Sequence, residues 1–173
     1  SLKDFGEKKA IVLVFTNTTC PLAQKYWPKL KRLDEQYREA GVQFVSVNVG
    51  GYDEIQEIAQ QGIDFGIEFP LVKDVDGKCV KATGVTRTPE VVVADGKRKL
   101  RYRGRIDDQV RVGGTRPDVQ SDDLKLALDD FGSGYSTYNF LNQFRPDYLK
   151  IEGSFVRGML QNEADRKIVT HIH

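Results

Sequence analysis

The sequence predicts an α/β fold built on a central mixed sheet with helices on both faces. Three observations predict it. Residues 10–15, AIVLVF, form a continuous apolar, β-branched run of the kind that lies buried on both faces of a parallel sheet. A helix-periodic stretch follows, and then a second β-branched run at 42–49, the strand, helix, strand order of a right-handed βαβ unit. Further on, two strand-like runs flank Asp95-Gly96-Lys97-Arg98, a hairpin signal that adds an antiparallel pair.

Taken in order, the strand at 10–15 leads into a short polar turn and then Cys20. Leu22, Tyr26, Leu30, Leu33 and Tyr37 recur at helical spacing, with Lys25, Lys29, Arg32, Glu35 and Arg38 on the other side, which predicts a helix with one buried stripe. Pro21 suits its first turn, where a missing N–H is harmless, and Thr18 or Thr19 is expected to cap it. Cys20 then sits at a helix N-terminus, where free N–H groups and the positive end of the dipole favour thiolate over thiol. A short helix is expected at 53–61, a strand at 69–72, a turn at 74–77 and a short helix at 78–83. Cys79, in that last helix, reads as a small buried apolar side chain rather than a resolving thiol, since a disulfide needs Cα atoms within about 7 Å. Strands are expected at 90–94 and 99–105, and a loop at 113–117 whose paired glycines lack the spacing of a phosphate-binding loop. Ser121-Asp122-Asp123-Leu124 is a helix cap, and Leu124, Ala127, Leu128 and Phe131 fit a helical stripe. Leu124, Leu126 and Leu128 also alternate as in a strand, so both patterns are open here.

Composition narrows the function classes. The 173 residues carry 26 Lys and Arg against 25 Asp and Glu, a formal net charge of +1, which gives no electrostatic case for nucleic acid. The basic clusters at 29–32 and 97–105 read as solvated faces. Two cysteines make no disulfide framework, and no stretch reads as a signal peptide or a membrane-spanning helix.

Residues 1–123 resemble the redoxin branch of the thioredoxin superfamily, which includes the alkyl hydroperoxide reductase/thiol-specific antioxidant proteins. The strand-then-Cys20 turn, Pro28 eight residues after the cysteine, and Thr88-Pro89 ahead of the strand at 90–94 carry the resemblance. It implies a thioredoxin-like three-layer sandwich, a cis bond at Thr88-Pro89 facing Cys20, and thiol-dependent oxidoreductase chemistry on a peroxide or a disulfide, with an external thiol or thioredoxin-type reductant. Cys20 would be the nucleophile, with Thr19, Pro89 and Arg87 around it and no cofactor. The segment Tyr102-Arg103-Gly104-Arg105-Ile106-Asp107-Asp108 also resembles redoxin proteins, its plainer reading being a charged edge strand. The sequence departs from the family where thioredoxins have a second cysteine, here Ala23, and where peroxiredoxins have a threonine, here Asn17. Nor does the run 11–15 hold an acidic residue to act as a buried proton acceptor. Ala23 and the missing acidic residue support the alternative of a redox-inactive thioredoxin-like binding module, while the cysteine at a helix N-terminus favours the enzyme. The opening SLKDFGEKK resembles the interior of a redoxin domain lacking its leading hairpin, which leaves the compartment open between bacterial cytoplasm and periplasm.

From residue 126 a second resemblance takes over. Asp129-Asp130-Phe131-Gly132-Ser133-Gly134-Tyr135-Ser136 and Leu149-Lys150-Ile151-Glu152 resemble the DDFG(T/S)GYS and LKI(D/E) motifs of EAL-domain cyclic di-GMP phosphodiesterases. The resemblance implies that 124–173 is a βα fragment of an incomplete TIM-type barrel, joined to the redoxin domain in a chimeric chain. It further implies that Asp129 and Asp130 would hold Mg²⁺ or Mn²⁺ beside the catalytic-site lysine Lys150. The Glu-Ala-Leu triplet and the remaining ligands of that site are not in this sequence, so the fragment is expected to be an inactive remnant. Segments 136–143 and 154–172 are expected to be helical and 148–151 a strand, with His171 and His173 solvent-exposed.

Overall fold

A computed structural model describes residues 5–111, 114–115, 118–119, 121–125 and 127–128. The elements run β1 (Ala10–Thr16), α1 (Pro21–Tyr37), β2 (Val42–Asn48), α2 (Ile55–Asp64), β3 (Leu71–Lys73), α3 (Lys78–Thr83), β4 (Glu90–Asp95), β5 (Leu100–Gly104), β6 (Val110–Arg111) and β7 (Gly114–Thr115). The main sheet has the order β3-β2-β1-β4-β5. The first three strands are parallel, β4 is antiparallel to β1, and β5 is antiparallel to β4. The βαβ unit and the hairpin expected from the sequence thus share one mixed sheet with β1 at its centre.

Every residue of β1 is buried, because neighbours pair on both edges and helices cover both faces. Side chains alternate across a strand. Ala10, Val12 and Val14 therefore meet Trp27, Leu30, Phe44 and Phe69 on one face, while Ile11, Leu13 and Phe15 meet Val45, Val85 and Val92 on the other. α1 closes the first face. Cys79 and Val80 of α3, partly buried, pack against the second, which makes a three-layer sandwich.

α1 runs through Pro28, which removes one backbone N–H donor from the helix. Its buried side, Ala23, Tyr26, Trp27, Leu30, Leu33 and Tyr37, anchors it instead. Leu22 differs from the expected stripe at 37% exposure, because it stands in the first turn, beyond the edge of the sheet. The expected threonine cap also differs: Cys20 itself is the N-cap residue, extended at φ −80° and ψ 109°, and no side chain caps the helix. α2 begins two residues later than expected, at a capping box in which Glu54 and Glu57 satisfy each other's backbone N–H groups. β3 is shifted to Leu71–Lys73 by its parallel pairing with Ser46–Asn48.

Past β5, Ile106 returns to the core and Asp107 and Asp108 are buried. The expected loop at 113–117 contributes Gly114 and Thr115 to a two-stranded ribbon with Val110 and Arg111. Residues 123–125 and 127–128 are helical, with the Asp122 carboxylate accepting the Lys125 N–H at 3.4 Å, and Leu124 and Leu128 are fully buried against the α1 face. Of the two patterns in this stretch, the helical one prevails because it puts both leucines on one side. The expectations for Asp129, Asp130, Lys150, the tail helices and the terminal histidines lie outside the described residues.

Candidate active site around Cys20

Strand register brings the site together. Thr16, the last residue of β1, pairs with Asn48 at the end of β2, and Phe15 pairs with Glu90 at the start of β4. The turn after β1, the loop after β2 and the loop before β4 therefore meet at one edge of the sheet, and Cys20 lies in the first of them.

Cys20 is half-buried, and its Sγ lies 3.7 Å from the carbonyl oxygen of Thr88, to which the thiol donates. Thr88-Pro89 is a cis peptide. The backbone carbonyl of Cys20 accepts the Gln24 N–H at 3.1 Å, so the cysteine is locked to the first turn of α1. Pro21 has no N–H to offer, and the Cys20 side chain makes no capping hydrogen bond to the first turn of α1. Ala23, where a dithiol enzyme would have its second sulfur, is 1% exposed in the core. Both cysteines are free. Cys79 sits under the opposite face of the sheet, where burial, and then the neighbouring Asp74 carboxylate, push its thiol pKa up.

Of the other expected site residues, Pro89 is half-buried beside Thr88, and Thr19 is exposed. Arg87 is exposed and has no hydrogen bond or ion pair among the described residues. Asn17 follows the end of β1, and its buried Oδ1 has no hydrogen-bond partner among the described residues.

Two buried carboxylates at this edge escaped the sequence reading, which looked for one only within β1. Glu90 is 5% exposed and accepts the Thr86 N–H through Oε2 at 2.9 Å. Arg103 donates to the carbonyl of Gly84 at 2.8 Å, and Gly84 has φ +71°, with room for a Cβ blocked by Arg103 Nη1 at 2.5 Å. Glu90 and Arg103 thereby hold the loop that ends on Thr88 and Pro89. The signal was present: a lone glutamate right after Thr-Pro in a strand of valines. The second carboxylate, Asp53, is 6% exposed and takes the Thr18 N–H on Oδ2 at 2.6 Å and the Asn48 side-chain amide on the same oxygen at 2.7 Å. Although burial pushes its pKa up, the hydrogen bonds from Asn48 and Thr18, with Lys73 nearby, hold it below the usual carboxylate value. No sequence pattern marks Asp53, since its partners come from other loops.

The AhpC/TSA family model matches residues 1–103, more than half of the chain. The chain belongs to the AhpC/TSA family. An EAL domain model matches residues 108–173. Among curated proteins, the thiol-disulfide oxidoreductase ResA of Halalkalibacterium halodurans is 30% identical over 88 residues, 50% of this chain and 48% of that protein. Cyclic di-GMP phosphodiesterase PdeF of Escherichia coli is 46% identical over 48 residues, 28% of this chain and 6% of that protein. The chain thus spans about half of the one relative and a small fraction of the other. An uncharacterized conserved protein from Geobacillus kaustophilus has a solved structure that superposes with a TM-score of 0.71 at 27% identity, covering 86% of this chain and 76% of that one. The AhpC/TSA part is therefore a thioredoxin-like α/β domain with a mixed sheet, and none of its described helices is long and apolar enough to cross a membrane.

Proposed function

We propose that the chain is a one-cysteine thiol-disulfide oxidoreductase with Cys20 as its only nucleophile. The observation that carries the reading is the placement of Cys20 at the N-terminus of α1, half-exposed and facing the Thr88 carbonyl beside cis-Pro89. That is the microenvironment in which thiols become reactive. The thiolate attacks one sulfur of a disulfide RS–SR′, forming Cys20–S–SR and releasing R′S⁻. With Ala23 in the second-cysteine position and Cys79 on the far face, an external thiolate R″S⁻ must attack the bound sulfur, releasing RS–SR″ and regenerating Cys20.

The peroxide reaction of the same family, in which the thiolate takes one oxygen from ROOH to give a sulfenic acid and ROH, is the second reading. Asn17 in the threonine position and the exposed Arg87 leave fewer groups to polarise a peroxide, which favours the disulfide. For 108–173 we propose no phosphodiesterase turnover, because this sequence has Asp129, Asp130 and Lys150 without the Glu-Ala-Leu triplet.

The test uses the Cys79→Ser protein at pH 7. Incubated with a peptide disulfide, Cys20 should form a mixed disulfide detected by mass spectrometry, faster than a free-cysteine peptide does, and excess small thiol should reverse it. Dimedone trapping after peroxide treatment reports the second reading. Reaction with neither oxidant above the free-cysteine rate would leave the redox-inactive binding module.

A further inference from the structure

The turn between β1 and Cys20 has no regular structure, and no side chain caps the helix that follows. What holds it is the backbone of Thr18, bonded through both its N–H and its carbonyl. Its N–H donates to Asp53 at 2.6 Å. Its carbonyl accepts Gln24 Nε2 of α1 at 2.9 Å and Gln61 Nε2 of α2 at 3.2 Å.

Asp53 is itself built into place. Asn48, at the end of β2, donates to its Oδ2 and with its own Oδ1 accepts the Gly50 N–H at 3.0 Å. Lys73 of β3 donates to the Asp53 backbone carbonyl. Gly50 must be glycine for this purpose, because a Cβ there would fall within the Asp53 carboxylate. Asp53, Gln24 and Gln61, from three segments, therefore converge on the backbone of Thr18, two residues before Cys20, with Asn48 and Lys73 holding Asp53 from behind. A hydrogen bond to a buried, ionised carboxylate is roughly twice as strong as a neutral one, so Asp53 is the strongest of these contacts.

From this geometry we propose that Asp53 is the positioning residue of the Cys20 turn: by holding the Thr18 N–H, it keeps Cys20 at the N-cap position of α1 with its sulfur against the Thr88 carbonyl. It touches no substrate. The inference rests on Cys20 being the reacting atom, and it deepens that reading by naming what orients the thiol. Without Asp53 the Thr18 N–H loses its acceptor and the turn can rotate. The sulfur then leaves its place at the head of α1 against the Thr88 carbonyl.

The experiment is the pH–rate profile of Cys20 alkylation by iodoacetamide in the full chain carrying Cys79→Ser, with far-UV circular dichroism and chemical denaturation alongside. The parent profile reports on the proposed function alone, and the comparison between variants reports on Asp53. Asp53→Ala should lower the rate at pH 7 at least threefold and move the profile to higher pH with the fold retained. Asp53→Asn, which keeps an oxygen for the Thr18 N–H, should recover most of the rate. Asn48→Leu, which removes one donor to Asp53, should fall between. Should Asp53→Ala fail to fold, Asn48→Leu and Gln61→Met carry the comparison on their own. Profiles that superimpose on the parent in folded variants overturn the proposal, and so does a loss of stability without any shift of profile.

Discussion

Cys20 and Cys79 differ by what surrounds each sulfur. Cys20 stands half-buried at the head of α1 against the Thr88 carbonyl, whereas Cys79 packs against the cluster that holds Val45 and Val85, with Asp74 beside it. The raised Cys79 pKa means less thiolate at neutral pH, and only the thiolate reacts. In single-cysteine variants at pH 7, alkylation should therefore run faster at Cys20 than in a free-cysteine peptide and slower at Cys79; equal rates at the two sites would contradict the assignment. Asp53 gives a second residue-scale expectation, with its sign set by its lowered pKa. A carboxylate depressed in the folded state contributes stability above its unfolded value, and that contribution is lost as pH falls through the folded value. Unfolding free energies should place the parent above Asp53→Asn by about 1–3 kcal/mol near pH 7, the scale of a hydrogen-bonded buried charge. The gap should close as pH drops below the usual carboxylate range.

At the scale of elements, α1 is fastened through its N-terminal half. Near its start Gln24 ties it to the Cys20 turn, and one turn later Tyr26 and Lys29 reach Asp107, which is 1% exposed after β5. The charged pattern at 103–108 thus serves two purposes: β5 is an edge strand, as its alternating arginines suggested, and the residues after it lock a helix. Tyr26→Phe removes one hydrogen bond to a carboxylate that keeps Lys29 and the Gln109 N–H. It should lower stability by about 1–2 kcal/mol in denaturant titration, with the Cys20 alkylation rate unchanged. The loop after β2 is stricter: Gly50→Ala should displace the Asp53 carboxylate and lower stability by about 1–3 kcal/mol, together with a slower Cys20.

Across the whole molecule, the match to the EAL domain starts at residue 108, yet Leu124 and Leu128 lie in the same core as Ala10, Val12, Trp27 and Leu30. A stretch that the EAL domain model matches here closes the sheet of the AhpC/TSA part. Overlap is physically easy at this point, because a capped helix with leucines on one side can cover any apolar sheet face. Leu124→Ala should therefore weaken the unfolding transition of the thioredoxin-like domain by about 2–5 kcal/mol, as loss of a fully buried leucine does. A transition unchanged by that substitution would mean that residues 121–128 are no part of this core. Cyclic di-GMP turnover with Mg²⁺ or Mn²⁺ is expected to be absent, and hydrolysis above background would reverse that expectation.

The sequence by itself determined the layered α/β plan, because the signals involved are local. A continuous apolar, β-branched run reads as a doubly covered strand, Pro21 with the following stripe reads as a helix start, and Asp-Gly between two strands turns the chain. Cys20, Ala23 and Thr88-Pro89 were legible for the same reason, each being read from its immediate neighbours. Only the tertiary structure decided what those neighbours could not contain: that Cys20 and not a threonine takes the N-cap position of α1, that Arg87 stands exposed without a partner among the described residues, and that residues 123–125 and 127–128 are helical. It alone brought Asp53 and Gln61 onto the Thr18 backbone, with Asn48 behind Asp53. Those contacts span 35 to 43 positions between Thr18 and its partners Asp53 and Gln61, and they exist because strand register sets the ends of β1 and β2 side by side. A buried carboxylate acquires its role from such donors, and donors gathered by register leave no periodic mark in the chain.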